Sequence, residues 1–410
     1  MISSKLCIRC KGKLLCGLGY CPILKKHSEQ RKVVSNISGN EFVGSSPPSL
    51  FVSWNNYPKV EIAPMSPTEV FDSEMLDAPE KWFGLPSERI VSFREQLLSS
   101  KKPIDVNAAA RPSYDLAEMQ ELVMAEKPTA IDVRIKGKPR PSLSFNDSVA
   151  PLGPQAKLLK MSLDENPSIN SKVDYVVSDT DLKSSEALNI LFNVGLPVSR
   201  LYKLLSAGTL GIGKNRKLVP TRWSITAVDS NLSGHIVEEK VKYFQEVSQL
   251  ELFHSNYLDN DFWVLLVPGP WSFEQLECWL PGGTWSVNAS KAEIIQDHEF
   301  YKGRSSYASN TEGAYYSARL AVAEHLDERK RQASAIVFRE IGRDYAIPLG
   351  VWQVRENVRS ALKQKPFVFS SLPLALAFLG RKLGVSIELY KKKSCLLDGL
   401  LHQRRITSFI

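Results

Sequence analysis

Phe262-Trp263-Val264-Leu265-Leu266-Val267 is the stretch on which the fold reading turns. Six consecutive apolar residues, aromatic and β-branched, ended by Pro268, suit a buried strand and are too few for a core helix. Around it the pattern alternates. Tyr315 to Leu326 and Leu372 to Leu383 space their apolar residues as helices do, while Ala335 to Ile341 and Ala346 to Gln353 read as paired strands. From Ile225 onward this predicts a mixed α/β or α+β domain, placed at residues 226–400.

Upstream lies a helix, a glycine turn and a second helix. Ala187 to Phe192 and Val198 to Ala207 flank Gly195-Leu196-Pro197, and Gly208 stops the second helix. Residues 176–225 therefore look like a helix-turn-helix, with Arg200 and Lys203 on the exposed side of the second helix. Lys214, Arg216 and Lys217 follow in a glycine-flanked loop resembling a wing, and Arg222 comes soon after. These six cations are the expected DNA-backbone contacts; the alternative is a core helical hairpin with a solvated basic loop. Residues 31–175 form a mixed region. Short strands are expected at Leu50 to Val52 and Val60 to Ile62, helices at Ser87 to Ser99 and Tyr114 to Glu126, and an extended proline-rich linker at Pro139 to Pro154.

Residues 1–30 carry Cys7, Cys10, Cys16 and Cys21, spaced C-x₂-C-x₅-C-x₄-C, with Cys278 and Cys395 far away. Four thiolates can close a tetrahedral shell around one structural Zn²⁺, leaving no open position for catalysis. The spacing is close to that of zinc knuckles, which bind single-stranded nucleic acid. An iron–sulfur cluster, a disulfide pair, or His27 in place of one sulfur are the competing readings.

The net charge of +8 is uneven: residues 1–40 carry +7, residues 381–410 carry +5, and the middle carries −4. Basic ends on a mildly acidic body suit tethering to a polyanion, or simply solubility. No apolar run approaches the ~20 residues of a membrane helix, and no targeting segment is visible, so a cytoplasmic protein is expected. Signatures of known chemistry are thin. There is no phosphate loop, dinucleotide fingerprint or H-E-x-x-H motif. Glu238 and Lys240, with Asp229 upstream, resemble a nuclease core only loosely. Glu340, Arg355 and Glu356 are the candidate catalytic residues, a polar pocket being one reading and a buried ion-pair network the other.

At the carboxyl end, Gln403, Ile406, Phe409 and Ile410 form a Gln-x-x-Ile-x-x-Phe-Ile series. Three-residue spacing aligns one amide and two apolar plugs on one face of a 3₁₀ turn. This tail, 403–410, resembles the PCNA-interacting peptide that holds the sliding clamp.

Taken together, the cysteine segment Cys7 to Pro22, the run Ser46-Pro47-Pro48-Ser49-Leu50-Phe51-Val52, the run Leu218 to Thr226, the run Gly350 to Glu356 and the terminal box resemble the archaeal Nre family of DNA repair proteins. The resemblance implies a cytoplasmic archaeal protein that works with the sliding clamp PCNA in responding to DNA damage. The favoured function is a clamp-tethered DNA-binding repair factor. A DNA- or nucleotide-modifying enzyme, nuclease or transferase, with its site in the carboxyl-terminal region is the alternative, and an adaptor bridging the clamp to another protein is a third.

Overall fold

The structure, a computed structural model, describes residues 10–15, 19–141, 152–282, 291–345 and 348–402. It is a mixed α+β fold, and its residues fall into two compact units divided between Leu232 and Ser233.

The first unit opens with helix α1 (Pro22–Ser35), started by the proline at its first position. Strands β1 (Glu41–Ser46), β2 (Leu50–Val52) and β3 (Lys59–Ser66) follow, then α2 (Ser87–Glu95), β4 (Leu98–Asp105), α3 (Tyr114–Met124), β5 (Thr129–Ile135) and β6 (Gln155–Leu163). The strands make one sheet in the order β1-β5-β6-β4-β3-β2, antiparallel except for the β4–β6 pair. In β5 Ile131, Val133 and Ile135 point inward while Asp132 and Arg134 face water, the two-residue period of a half-buried strand. The helix expected over Ser87 to Ser99 stops at Glu95, and Leu98-Ser99 already belong to β4. Helices α4 (Ser171–Ser178), α5 (Ser184–Asn193), α6 (Val198–Ser206) and the first part of α7 (Thr221–Glu239) complete the unit. Of the proline-rich stretch Pro139 to Pro154, residues 142–151 lie outside the described residues.

The second unit holds β7 (Gln245–Glu246), β8 (Leu250–Tyr257), β9 (Asn260–Val267), β10 (Ser272–Trp279), β11 (Glu293–Glu299), α8 (Gly313–Arg329), β12 (Arg331–Gln332), β13 (Ser334–Ile341), α9 (Trp352–Leu362), β14 (Phe367–Phe369), α10 (Leu372–Leu379), α11 (Ile387–Lys393) and α12 (Cys395–His402). Its main sheet runs β11-β10-β13-β9-β8-β14, antiparallel except for β10–β13. Strand β9 contains the run Phe262 to Val267 and lies between β8 and β13, as a buried strand should. One sheet face is apolar. Leu252, Trp263, Leu265, Leu276, Cys278, Ile336 and Phe338 pack there against Leu376, Leu379, Tyr390, Leu396 and Leu397 of α10 to α12. The alternate residues Gln275, Glu277 and Arg339 face the opposite way, and Phe253 on that side meets His325 of α8 edge-on.

The strand expected over Ala346 to Gln353 is not formed by its described residues. Pro348 and Gly350, the latter at φ +97°, precede a helix, α9, that begins at Trp352. Trp352, Val354, Val358, Ala361 and Leu362 bury their side chains at helical spacing. The partners of β13 are instead β9 and β10.

Candidate functional site

Of the four amino-terminal cysteines, Cys10 and Cys21 are described; Cys7 and Cys16 lie outside the described residues. Around Cys10 the backbone curls so that the Leu15 amide donates to its Sγ at 3.2 Å. Burial pushes this thiol up, but the amides of Leu15, Gly12, Leu14 and Lys13 outweigh that and hold it below the usual thiol range. The curl needs Gly12 at φ +82°, where a Cβ would meet Leu24 Cδ1 at 2.5 Å. Amides converging on sulfur stabilise a thiolate, which is the form a metal binds. Cys21 sits just before Pro22 at the start of α1. Of the two, Cys10 has the amide-cradled sulfur that suits a metal ligand. The tail residues Gln403, Ile406, Phe409 and Ile410 also lie outside the described residues.

The six cations divide into two groups. The helix pair α5–α6 forms as expected, with Gly195 at φ +89° in the turn. However, α6 is buried nearly all round: Val198, Ser199, Leu201, Tyr202, Lys203, Leu204 and Ser206 are all inside. Lys203 is therefore not on an exposed side. It donates to Asp77 Oδ2 at 2.7 Å and to the Asp77 carbonyl at 3.0 Å. Arg94 reaches Asp77 Oδ1 at 2.7 Å, and the Ser49 hydroxyl donates to Oδ2. Burial would raise the Asp77 carboxyl, yet Lys203 and Arg94 together pull it below its ordinary value. Arg200 turns inward too, donating to the carbonyls of Pro48 (3.3 Å), Val123 (2.8 Å) and Ala125; burial lowers its pKa to about 10. Arg216 spans the carbonyls of Gly211 at 2.8 Å, Val177 at 2.7 Å and Asp179 at 3.2 Å. These three are structural ties: Lys203 and Arg200 are buried against their acceptors, and half-buried Arg216 commits two of its nitrogens to backbone carbonyls. Lys214, Lys217 and Arg222 remain exposed.

Two quoted runs converge on this knot. Ser46 Oγ donates to the Met65 carbonyl at 2.7 Å, and the Val52 amide donates to Thr221 Oγ1 at 2.9 Å. Ser206 Oγ donates to the Val219 carbonyl at 2.6 Å. Asp77, the centre of it all, was not singled out from sequence. It sits 126 residues from Lys203, and only a carboxylate two residues before a proline marks it.

In the second unit Glu340, Arg355 and Glu356 do not converge. Glu340 points to the α10–α12 side and accepts from the amides of Gly384 (2.7 Å) and Val385 (3.3 Å) and from Tyr390 Oη (3.0 Å). Burial raises its pKa against those three donors. Arg355 Nε lies 3.6 Å from Glu356 Oε1, which also accepts from Arg359 at 2.7 Å, and Arg359 pairs with Glu324 at 2.6 Å. Glu238 and Lys240 are likewise tied separately, to Lys242 and Asp327. Glu274, His298 and Cys395 bring donor atoms within 4.8 Å of one another. The Glu274 oxygens are already engaged there, accepting from the Ser394 hydroxyl and the amides of Cys395 and Leu396 at the start of α12.

The sheet face beneath α8 and α9 holds a different arrangement. Arg339 donates to Asn260 Oδ1 at 2.7 Å and 3.0 Å and to Glu277 Oε1 at 3.0 Å. Gln275 Nε2 donates to the same Glu277 oxygen at 2.7 Å, and Asn357 Nδ2 donates to the Asn260 carbonyl at 3.2 Å. Yet Gln275 Oε1, Asn357 Oδ1 and both amide atoms of Gln353 have no hydrogen-bond partner among the described residues, and all three residues are fully buried. Orphaned buried amides cost about 1–3 kcal/mol each, so ordered water or a polar ligand is their natural complement. Sequence reasoning passed over these residues. The available signal was Gln353 inside the quoted run Gly350 to Glu356, and two polar residues in the middle of a strand.

No helix among the described residues is long and apolar enough to cross a membrane. Comparison with known proteins bears out the family resemblance. Residues 15–286 match the family description "Archaeal Nre, N-terminal" and residues 299–409 match "Archaeal Nre, C-terminal". The chain is 38% identical over 391 residues to DNA repair protein NreB of Archaeoglobus fulgidus, covering 95% of this chain and 96% of that one. It is 38% identical over 376 residues to DNA repair protein NreA of the same organism (92% and 93%), and 35% identical over 379 residues to DNA repair protein NreA of Haloferax volcanii (90% of each). With two matched regions that together span nearly all of its length, this chain belongs to the archaeal Nre family.

Proposed function

We propose that this protein is a DNA repair factor that binds DNA while tethered to the sliding clamp. The observation that carries this reading is similarity over nine-tenths or more of the chain to three proteins named for DNA repair. Cys7, Cys10, Cys16 and Cys21 hold one zinc ion and shape a basic finger, to which the amide curl at Cys10 lends support. Lys214, Lys217 and Arg222 contact phosphates. Gln403, Ile406, Phe409 and Ile410 dock on PCNA, raising the local concentration at clamp-loaded DNA so that weak contacts suffice. The protein works in the cytoplasm.

The test is a calorimetric titration of the full chain and Phe409→Ala against the clamp. Loss of most of the binding heat with an unchanged melting profile supports the tether; equal affinity of the two chains removes it. Metal analysis of the purified chain should find about one zinc, and none or iron would overturn the finger.

A second reading, an enzyme acting on DNA or nucleotides, is favoured by one observation, the orphaned amides of Gln353, Gln275 and Asn357 beside Arg339 and Glu277. Turnover on single-stranded or damaged substrates that disappears in Glu277→Gln would establish it; salt-dependent binding without turnover would count against it.

A further inference from the structure

Three large aromatic side chains, Trp54, Tyr57 and Trp223, stand half-exposed on the surface of the first unit, and two of them touch. Trp54 and Tyr57 lie three residues apart on the turn between β2 and β3, and Trp223 lies in the first turn of α7. Tyr57 and Trp223 touch, with ring centroids 5.2 Å apart and planes inclined at 52°. Each of the three leaves nearly half of its surface in water: 48% for Trp54, 49% for Tyr57 and 45% for Trp223. Tryptophan is usually well covered even when not fully buried. A tilted pair, unlike a stacked one, does not seal the faces of its own rings.

The backbone holds these groups in place. The turn is closed by the Ser53 amide donating to the Glu61 carbonyl at 2.8 Å and the Glu61 amide donating to Ser53 Oγ at 2.9 Å. Beside it, the Val106 amide donates to the Pro58 carbonyl at 3.0 Å, and the Leu218 amide donates to the Val106 carbonyl at 2.9 Å. Three chain segments are thereby laid side by side: the one carrying Tyr57 and Lys59, the one after β4, and the one carrying Lys217, Arg222 and Trp223. Lys59, Lys217 and Arg222 are exposed. Two acids belong to this ladder: Asp105, across the sheet from Lys59, accepts from the amide of Asn107 at 2.9 Å, and Glu61 pairs with Lys101 at 3.1 Å.

We propose that Trp54, Tyr57 and Trp223, with Lys59, Lys217 and Arg222 around them, form a stacking platform for the unpaired bases of single-stranded nucleic acid. Uncovered aromatic faces among cations match a ligand that alternates planar bases with phosphates. A duplex presents only its phosphates, because its base faces are occupied by neighbouring base pairs, so it would use the cations and leave the rings bare. The inference rests on the DNA-binding reading above and sharpens it to a strand class.

The test measures fluorescence anisotropy of the full chain with a labelled oligothymidylate of about 16 nucleotides, and separately with a duplex of equal length. Trp54→Ala and Trp223→Ala are each expected to weaken single-strand binding about tenfold while duplex binding stays within about twofold. Trp223→Phe should restore most of the loss, and the half-exposed positions should leave the melting temperature nearly unchanged. If the variants bind both oligonucleotides as the parent does, or lose both equally, the platform is overturned and DNA binding stands. If the parent binds neither, the DNA-binding reading itself fails and the platform with it. A change of oligomeric state in Trp54→Ala, seen by light scattering, would make the patch a self-contact and also overturn the proposal.

Discussion

Both units are built on six-stranded sheets with a single parallel pair, yet they close their buried polar groups to different degrees. In the first, Asp77 gathers Lys203, Arg94 and Ser49, with Arg94 Nε the one atom of that knot left over, while Arg200 and Arg216 end on backbone carbonyls. In the second, the face beneath α8 and α9 contains an equally buried polar layer in which Gln353, Gln275 and Asn357 keep four amide atoms without partners among the described residues. A closed polar network rigidifies a core; one left open costs stability and is retained where something else completes it. The difference teaches where to look for structure and where to look for a ligand.

The largest expected effect breaks the closed side. Asp77→Ala strands Lys203 and Arg94 in a dry interior and should cost about 3–5 kcal/mol in denaturant unfolding. A loss below about 1 kcal/mol would mean that the knot is hydrated. The next effect probes an imperfection within the same unit. Glu95 is fully buried, accepts from Gln30 Nε2 at 2.6 Å and lies 4.0 Å from Lys26 Nζ. Burial raises its pKa from 4.5 to about 7, with Lys26 and Gln30 opposing the shift. A raised acid binds its proton more tightly in the folded chain. Its stabilising effect is therefore complete below about pH 4.5 and is lost as pH rises through about 7. Glu95→Gln should match the parent at pH 5 and exceed it at pH 8 by roughly 2 kcal/mol, read from parallel unfolding curves. Curves that keep one spacing at both pH values would refute the shift.

On the open side, Gln353→Leu removes two orphaned amide atoms and should be neutral or stabilising by up to about 1 kcal/mol, whereas a clear loss would reveal a partner that the amide already has. The smallest effect on folding separates two cations one residue apart. Lys217→Gln should leave the melting temperature unchanged and reduce the salt slope of DNA binding by about one. Arg216→Gln should instead lower stability by about 1–2 kcal/mol through its lost carbonyl bonds, with the slope retained. Identical behaviour of the two variants would erase the distinction between structural and solvent-facing cations.

Much of the framework was legible. Leu50 to Val52, Phe262 to Val267, Ala335 to Ile341 and the helix around Tyr315 to Leu326 all follow from apolar runs or helical spacing, which local sequence reports directly. Strand β10 was not legible, because Glu274, Gln275 and Glu277 look like solvent-facing residues. Helices cover both faces of its sheet, and that coverage is a tertiary fact. Arg200 and Lys203 misled for the same reason. Cations three apart ordinarily mark a wet helix face, but Val198, Leu201, Tyr202 and Leu204 already spread apolar surface around most of α6, and the compensating Asp77 is distant in sequence. In the neighbouring loop, read as a basic wing, Lys214 and Lys217 are exposed while Arg216 between them turns to backbone carbonyls, a split that the spacing of the cations does not report.

One contact in the second unit anchors a helix. The carboxylate of Glu274, on a strand flanked by β11 and β13, grips the opening turn of α12 through Ser394, Cys395 and Leu396. A pull on that helix is therefore carried straight into the interior of a sheet, and the second unit would follow it as one load rather than let a surface helix peel away.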